Sequence, residues 1–560
     1  MKSSVSIKNP DAWLRLWLGL WWVVNAVQAG CTELANDEAY YHMFSLDLDW
    51  GYFDHPPMTA LLVWLGSFLG GELGVRFFFT LLQPLYLYVL WRIVRPADAS
   101  RSDASLFVLL ASSMPILQLY GFIAVPDGPL MLFTALFLWT FKRFTETGRW
   151  SAALWMGVAM AALAYSKYHG ALVVLLTVVS RPRLLKDMKF WAACGLTLLL
   201  IAPHLLWQYE HDWVSFRYHL SGRNRDFEIG FVTEYLLNLF AIFNPFLFPV
   251  FVVAWWKTRG QTPVLRAMNC MSAGFILFFL ASTFRGYVQP QWEIPAAFGI
   301  VAVLFLYVRR RERLRRYAVR IGWITLTLMA LVRIEMIFNP LGLRFEVFDN
   351  RASYAKIAEA AAGAPVIFDG QYTAAAKYGF YTGGWAWAQP SIHYRTSQYE
   401  MKDDDSRMAG GRVLVQVWDS VPGRRSIRLP NGREFAWIET ERFVPVRQID
   451  VVYDPLPSQV RAGDTLHLRF RLDNPYPYDY RFDGDSVSLS IVWRNRNEPT
   501  HRYVLPSVTG LLPACGSMEA EADFVVPPLP RRVFEVGFTV ANLPVTTWFN
   551  GETTPIEISK

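Results

Sequence analysis

Six carboxylates crowd one short stretch of this chain, residues 30–57: Glu33, Asp37, Glu38, Asp47, Asp49 and Asp54. No Lys or Arg falls between Arg15 and Arg76 to neutralise them. A carboxylate held among aromatic groups is harder to ionise and suits general-base work on a hydroxyl. Asp37-Glu38-Ala39-Tyr40-Tyr41 reads as the start of a short amphipathic helix, with Asp37 above Tyr41 and Glu38 above His42. An acid pair in a first helical turn also complements the helix dipole, and the pattern alone fits both readings equally. Gly51 to Pro57 is a stiff turn, because each proline keeps the residue before it extended. Such a turn can aim Asp54 and His55, and His55 could bind a phosphate or help hold a metal; its plainer use is to cap the next helix.

Further along, Pro126-Asp127 opens an apolar run, where an aspartate commonly serves as a cap. Lys167 and Arg285 stand at run ends that the charge pattern places outside, against the usual rule for cations. Two such cations suggest an anion held at the surface, and phosphate is the natural candidate. Arg217, Arg223 and Arg225 lie in a loop that could add to it. There is no GxGxxG and no phosphate-binding GxxxxGK motif, so an activated donor must reach this surface in another form.

The elements that must position these groups are membrane spans. Hydrophobic residues make up 53% of the 560 and charged residues only 18%, a balance that belongs to a membrane protein. Apolar runs occur at 12–29, 75–94, 104–122, 127–144, 151–166, 168–180, 190–207, 231–256, 267–284, 294–308 and 319–338. The expectation is about 11 transmembrane helices, possibly up to 13, with 58–69 as an interfacial helix. The first run is expected to be retained as a span rather than cleaved. Basic clusters (Lys2/Lys8, Arg92/Arg95/Arg101, Lys142/Arg143/Arg149, Arg181 to Lys189, Lys257/Arg259/Arg266 and Arg309 to Arg316) all fall on one side of the alternation. That side is cytoplasmic by the positive-inside rule. The net charge of +7 is therefore read as topology, and nucleic acid is excluded as a partner. The acidic loop, Asp127, Lys167, Arg285 and the polar tail then share the extracytoplasmic side, together with six of the nine histidines (His42, His55, His169, His204, His211, His219). A carrier would also place charges near the middle of its spans.

These motifs together resemble the bacterial branch of the dolichyl-phosphate-mannose protein mannosyltransferases. This is the GT-C-type group that includes the lipid A aminoarabinose transferases and the Rgt-type lipopolysaccharide glycosyltransferases. The resemblance rests on Asp37 to Tyr41, Phe53-Asp54-His55-Pro56-Pro57-Met58, Val125 to Leu130, Tyr165-Ser166-Lys167-Tyr168 and Tyr287-Val288-Gln289-Pro290-Gln291-Trp292, across residues 10–400. It implies inverting transfer from a polyprenyl-phosphate-linked sugar to a glycolipid, glycan or protein acceptor at the lipid bilayer of a bacterial inner membrane. Asp37 is then the expected base, with Glu38 beside it and Asp127 as the second catalytic aspartate. His55, Lys167 and Arg285 would face the donor phosphate. Tyr40, Tyr41, Tyr168, Gln289 and Trp292 would line the substrate. Asp54 would stand near a divalent metal ion, where some relatives carry Glu-Lys in place of Asp54-His55; no other cofactor is implied.

The tail divides in two. Residues 339–449 alternate helix and strand signals (350–362, 365–369, 372–381, 412–418) and suggest a small α/β domain, with Asn431-Gly432 marking a hairpin. From 450 to 560 alternating runs at 466–472, 487–493 and 533–540 suggest a β-sandwich. The transmembrane domain is expected to end at 338. Two rival functions fit many spans: a transporter of lipid-linked sugars, and a non-catalytic glycan-binding membrane protein. The polarity gathered at one surface favours the enzyme.

Overall fold

A computed structural model describes residues 9–222, 227–258, 262–392, 394–402, 405–418, 421–483, 487–495, 500–542 and 548–559. Lys2, Lys8, Arg223, Arg225 and Arg259 lie outside the described residues. The chain forms two compact units, Met1–Asn350 and Arg351–Lys560.

The first unit is helical. Four of its helices, Gly71–Val94, Met188–Glu210, Pro263–Arg285 and Glu312–Phe338, are long and apolar enough to cross a membrane. Helices Pro10–Cys31 and Asp127–Thr147 are of similar length. Trp150–Ser166, Gly170–Ser180 and Ala296–Val308 are shorter and apolar. The chain is thus a helical membrane protein with a C-terminal sheet region. Its core is continuous, from Leu14 and Leu18 through Phe107, Phe137 and Phe275 to Phe305.

Two expected spans are broken. The run 104–122 becomes Arg101–Ser112 and Pro115–Leu119, because Met114 is extended before Pro115. The run 231–256 becomes Ile229–Ile242 and Phe248–Lys257. There Asn244 takes a left-handed conformation, φ 70°, before Pro245. Neither break shows in hydropathy, which reads composition and not backbone angle. Met58–Gly66 forms a short helix.

The second unit carries the sheets. Strands β1 (Val366–Asp369), β2 (Ala386–Gln389), β3 (Val413–Gln416), β4 (Arg425–Arg428) and β5 (Glu434–Thr440) form one sheet in the order β2-β1-β3-β5-β4. Strands β2, β1 and β3 run parallel, with helix Tyr372–Thr382 linking β1 to β2. Strands β4 and β5 make a hairpin whose turn carries Gly432 at φ 81°. Ten further strands follow: β6 (Asp450–Tyr453), β7 (Gln459–Val460), β8 (Thr465–Asp473), β9 (Tyr480–Phe482), β10 (Ser488–Arg494), β11 (His501–Val504), β12 (Gly510–Leu512), β13 (Ser517–Val525), β14 (Val533–Ala541) and β15 (Thr554–Ile558). They order as β11-β10-β14-β15-β7, β13-β8-β6 and the pair β12-β9. Strand β8 alternates exposed and buried along its length, so one face of it is core. Phe470, Trp493, Phe524 and Phe538 fill that core.

Candidate active site

The acidic stretch folds as foreseen into a short helix, Asn36–Ser45, with Asp37 and Glu38 in its first turn. The two neighbours then part company. Glu38 is wholly buried. It takes Nε of Arg76 at 2.6 Å on Oε1 and Nη2 at 2.5 Å on Oε2. The backbone N–H of Ala35 and that of Ala124 donate to it at 2.9 and 2.8 Å. Arg76, just 1% exposed, spends its remaining donors on the carbonyls of Ala29, Thr32 and Glu33. This is a clasp: it joins the end of helix Pro10–Cys31, the acidic helix, helix Gly71–Val94 and the segment at Ala124. With four donors on its two oxygens, Glu38 has little capacity left for a substrate proton.

Asp37 is half-buried beside this clasp. The Ala124 N–H bond to Glu38 thus sets the helix that carries Asp37, 90 positions away in sequence, against the segment leading into Asp127.

Asp127 lies in the first turn of its helix and is 2% exposed. Its Oδ1 accepts from Lys167 Nζ at 2.7 Å, and Lys167 is itself buried. Lys167 is extended at the end of helix Trp150–Ser166, which directs its side chain away from that helix's own axis. Next to it stands His55. Its ring stacks on Tyr41 at 5.3 Å and faces His219 at 6.4 Å. Burial pushes His55 down to about 4, against the pull of Asp54 and with the help of His219 and Lys167. At neutral pH the imidazole is uncharged, so Lys167 is the cation here and His55 is a neutral hydrogen-bonding group.

The turn 46–57 is tied down on several sides. The Tyr52 hydroxyl donates to the carbonyl of Phe44 at 3.1 Å, and its ring stacks on Phe44 at 4.3 Å. His204 Nδ1 contacts the Trp50 carbonyl at 2.7 Å, and Trp207 Nε1 donates to Asp49 Oδ2 at 2.7 Å. Ser215 Oγ donates to the Tyr52 carbonyl at 3.0 Å, and His219 Nε2 meets the Asp54 carbonyl at 2.9 Å. Gly51 is required: a Cβ there would sit 2.3 Å from the Trp207 ring. Tyr168 packs on His204, Phe216 and His219 and accepts from Gln208 Nε2 at 3.1 Å.

Residues 54–207 match the dolichyl-phosphate-mannose-protein mannosyltransferase family, and that span contains Asp54, His55, Asp127, Lys167 and His204. The chain is 25% identical over 332 residues to the lipid A galacturonosyltransferase RgtD of Rhizobium johnstonii, covering 55% of this chain and 68% of that protein. The chain is a glycosyltransferase similar to these enzymes. Its fold matches that of ArnT from Cupriavidus metallidurans with a TM-score of 0.57 at 14% identity, over 76% of this chain and 97% of that one. The same enzyme bound to undecaprenyl phosphate matches equally, over 98% of its chain.

The remaining expected site residues of the glycosyltransferase sort by burial. Tyr40 and Tyr41 are 1% and 5% exposed and pack with Phe44 into an aromatic wall, Tyr40 at 4.5 Å and Tyr41 at 5.7 Å. Arg285 is exposed at the rim, with Nη2 3.4 Å from the Leu220 carbonyl. Gln289 braces its own loop, accepting from Gln291 Nε2 and Trp292 Nε1 at 3.2 and 3.0 Å. Trp292 packs at a tilt against His169 and Phe279. Among the described residues no group of three His, Cys, Asp or Glu side chains converges to hold a metal. Sequence reasoning missed Arg76 and Arg333. The two arginines carried a signal, since each is a charge inside an apolar run.

Proposed function

We propose that this glycosyltransferase moves a sugar from a polyprenyl-phosphate donor to a lipid A-type glycolipid at the extracytoplasmic face of a bacterial inner membrane. The observation that carries the reading is the buried Lys167–Asp127 pair, on a segment that the Ala124 N–H ties to Glu38 next to Asp37. The relatives supply the chemical class: one is named for lipid A and one was captured with undecaprenyl phosphate.

Asp37 is the base. Its carboxylate takes the proton of the acceptor hydroxyl while that oxygen attacks the anomeric carbon. The bond from that carbon to the phosphate oxygen breaks on the opposite face, and the lipid phosphate leaves with the electron pair, inverting the centre. Lys167, held by Asp127, stabilises the negative charge that develops on the leaving phosphate. Arg285 at the rim is open to the same phosphate as the lipid arrives from the bilayer. Glu38 takes no part in proton transfer; it holds the helix that carries Asp37. Asp54 and His55 shape the floor through the tied turn. The chain crosses the membrane about eleven times with its N-terminus cytoplasmic, as its basic clusters demand, and residues 339–449 and 450–560 are two extracytoplasmic domains.

Mass spectrometry of envelope glycolipids from cells with and without this gene tests the reading. A fixed sugar increment present only with the gene is the expected result. Identical spectra from the two strains would contradict it.

A further inference from the structure

Helix Glu312–Phe338 buries a single stripe: Ala318, Gly322, Met329 and Arg333. Three of these are small or apolar, and the fourth is a guanidinium that is 6% exposed. Among the described residues no carboxylate lies within ion-pair distance of it, and its Nε and Nη1 meet no acceptor. A cation buried in this way is costly unless its position does something useful.

What Arg333 does hold is specific. Its Nη2 donates to Asn25 Oδ1 at 2.8 Å and to the Gln118 carbonyl at 2.7 Å. Asn25 Nδ2 passes the connection on to the Gly121 carbonyl at 3.0 Å and to Gln83 Oε1 at 2.7 Å. Gln83 in turn donates to the Leu117 carbonyl. Three carbonyls of one short segment, at 117, 118 and 121, are thus fixed from a single polar cluster. The guanidinium also lies over the Phe122 ring, 5.1 Å from its centroid. The Arg76 guanidinium lies 5.7 Å from the same centroid. Phe122 is completely buried. Cation and ring attract when desolvated, so the two arginines grip one side chain. This segment runs directly into Tyr120, into Ala124, whose N–H binds Glu38, and into Asp127.

We infer that Arg333 is a positioning residue for sugar transfer, setting the segment that leads into Asp127 against the helix that carries Asp37 through Gln118, Asn25 and Phe122. It touches no reacting atom. It contributes by holding the end of helix Pro115–Leu119 and the non-helical residues 120–126 that follow it. The inference rests on the sugar-transfer reading above.

The test uses the full chain in a strain lacking the gene, with envelope glycolipid mass as the readout of transfer, normalised to folded membrane protein. Arg333→Gln should lower transfer about a hundredfold, the cost expected of a misplacement on the order of 1 Å. Arg333→Lys, which restores the cation, should recover to within about tenfold of the parent. Purified parent and both variants should bind undecaprenyl phosphate within about threefold of one another, because positioning acts on turnover and not on ground-state binding. Parent-like transfer by folded Arg333→Gln would overturn the inference, as would a Lys variant no better than the Gln variant. Should Arg333→Gln not accumulate, Phe122→Leu carries the same test, with about a tenfold loss expected and parent-like transfer overturning it. Failure of both to accumulate makes the cluster a folding element and overturns it too. If the parent itself adds no sugar increment, the transfer reading fails rather than this one.

Discussion

Two buried ion pairs sit in the candidate site, and they are built for different ends. Arg76–Glu38 is closed: the carboxylate has four donors and the guanidinium serves three carbonyls besides. Asp127–Lys167 is joined at one carboxylate oxygen by a 2.7 Å contact. An ammonium carries three donors, so this pair retains capacity toward an arriving phosphate. The comparison teaches that burial alone does not mark a catalytic group. What matters is the bonding capacity that the fold leaves unspent.

The comparison can be broken at four points. Glu38→Gln leaves Arg76 buried without its counter-ion and should cost about 3–5 kcal/mol of stability, read as a fall in the thermal unfolding midpoint in detergent. Transfer per folded molecule should change far less than that loss suggests. A parent-like midpoint would mean the clasp is not structural.

His55 gives a pH-dependent version. Its folded value is about 4, below its ordinary 6.5, so the unfolded chain takes up the proton first. Stability is therefore complete above pH 6.5 and declines as pH falls from 6.5 toward 4, by up to about 3 kcal/mol. His42, lowered to about 4 by burial, adds in the same direction. His55→Asn should flatten its share of the decline; an unchanged slope in unfolding midpoint against pH would contradict a neutral His55.

Lys167→Met attacks the open pair. Transfer should drop by roughly a hundredfold, the scale of one lost electrostatic donor at a transition state. Loss of folded protein without loss of specific activity would instead class this pair with the clasp. The mildest change is Arg285→Ala at the rim. Donor KM should rise about tenfold with kcat nearly unchanged, and the difference should shrink at high salt.

Much of this arrangement was legible beforehand, and the rest has identifiable physical reasons for being hidden. Asp37, Asp127 and Lys167 stood out because each breaks the composition of its surroundings. The strands at 465–473, 488–494 and 533–541 followed from alternation. What no local pattern encodes is pairing across distance. Glu38 meets Arg76 38 positions away, and Lys167 meets Asp127 40 positions away, so the roles of adjacent Asp37 and Glu38 look identical until the fold separates them. The broken spans at Pro115 and Pro245 were readable in principle, since proline constrains the residue before it. Arg333 was readable too: a lone charge inside an apolar run asks for a reason, and the smooth hydropathy around it conceals the question.

The most direct measurement is a comparison of Asp37→Asn and Glu38→Gln in the gene-deleted strain, scoring the envelope glycolipid increment per folded molecule. Asp37→Asn should fold normally and lose transfer by about 10²–10⁴-fold, the contribution of a positioned general base, while folded Glu38→Gln keeps most of its activity. Normal transfer by Asp37→Asn would contradict the account at its centre.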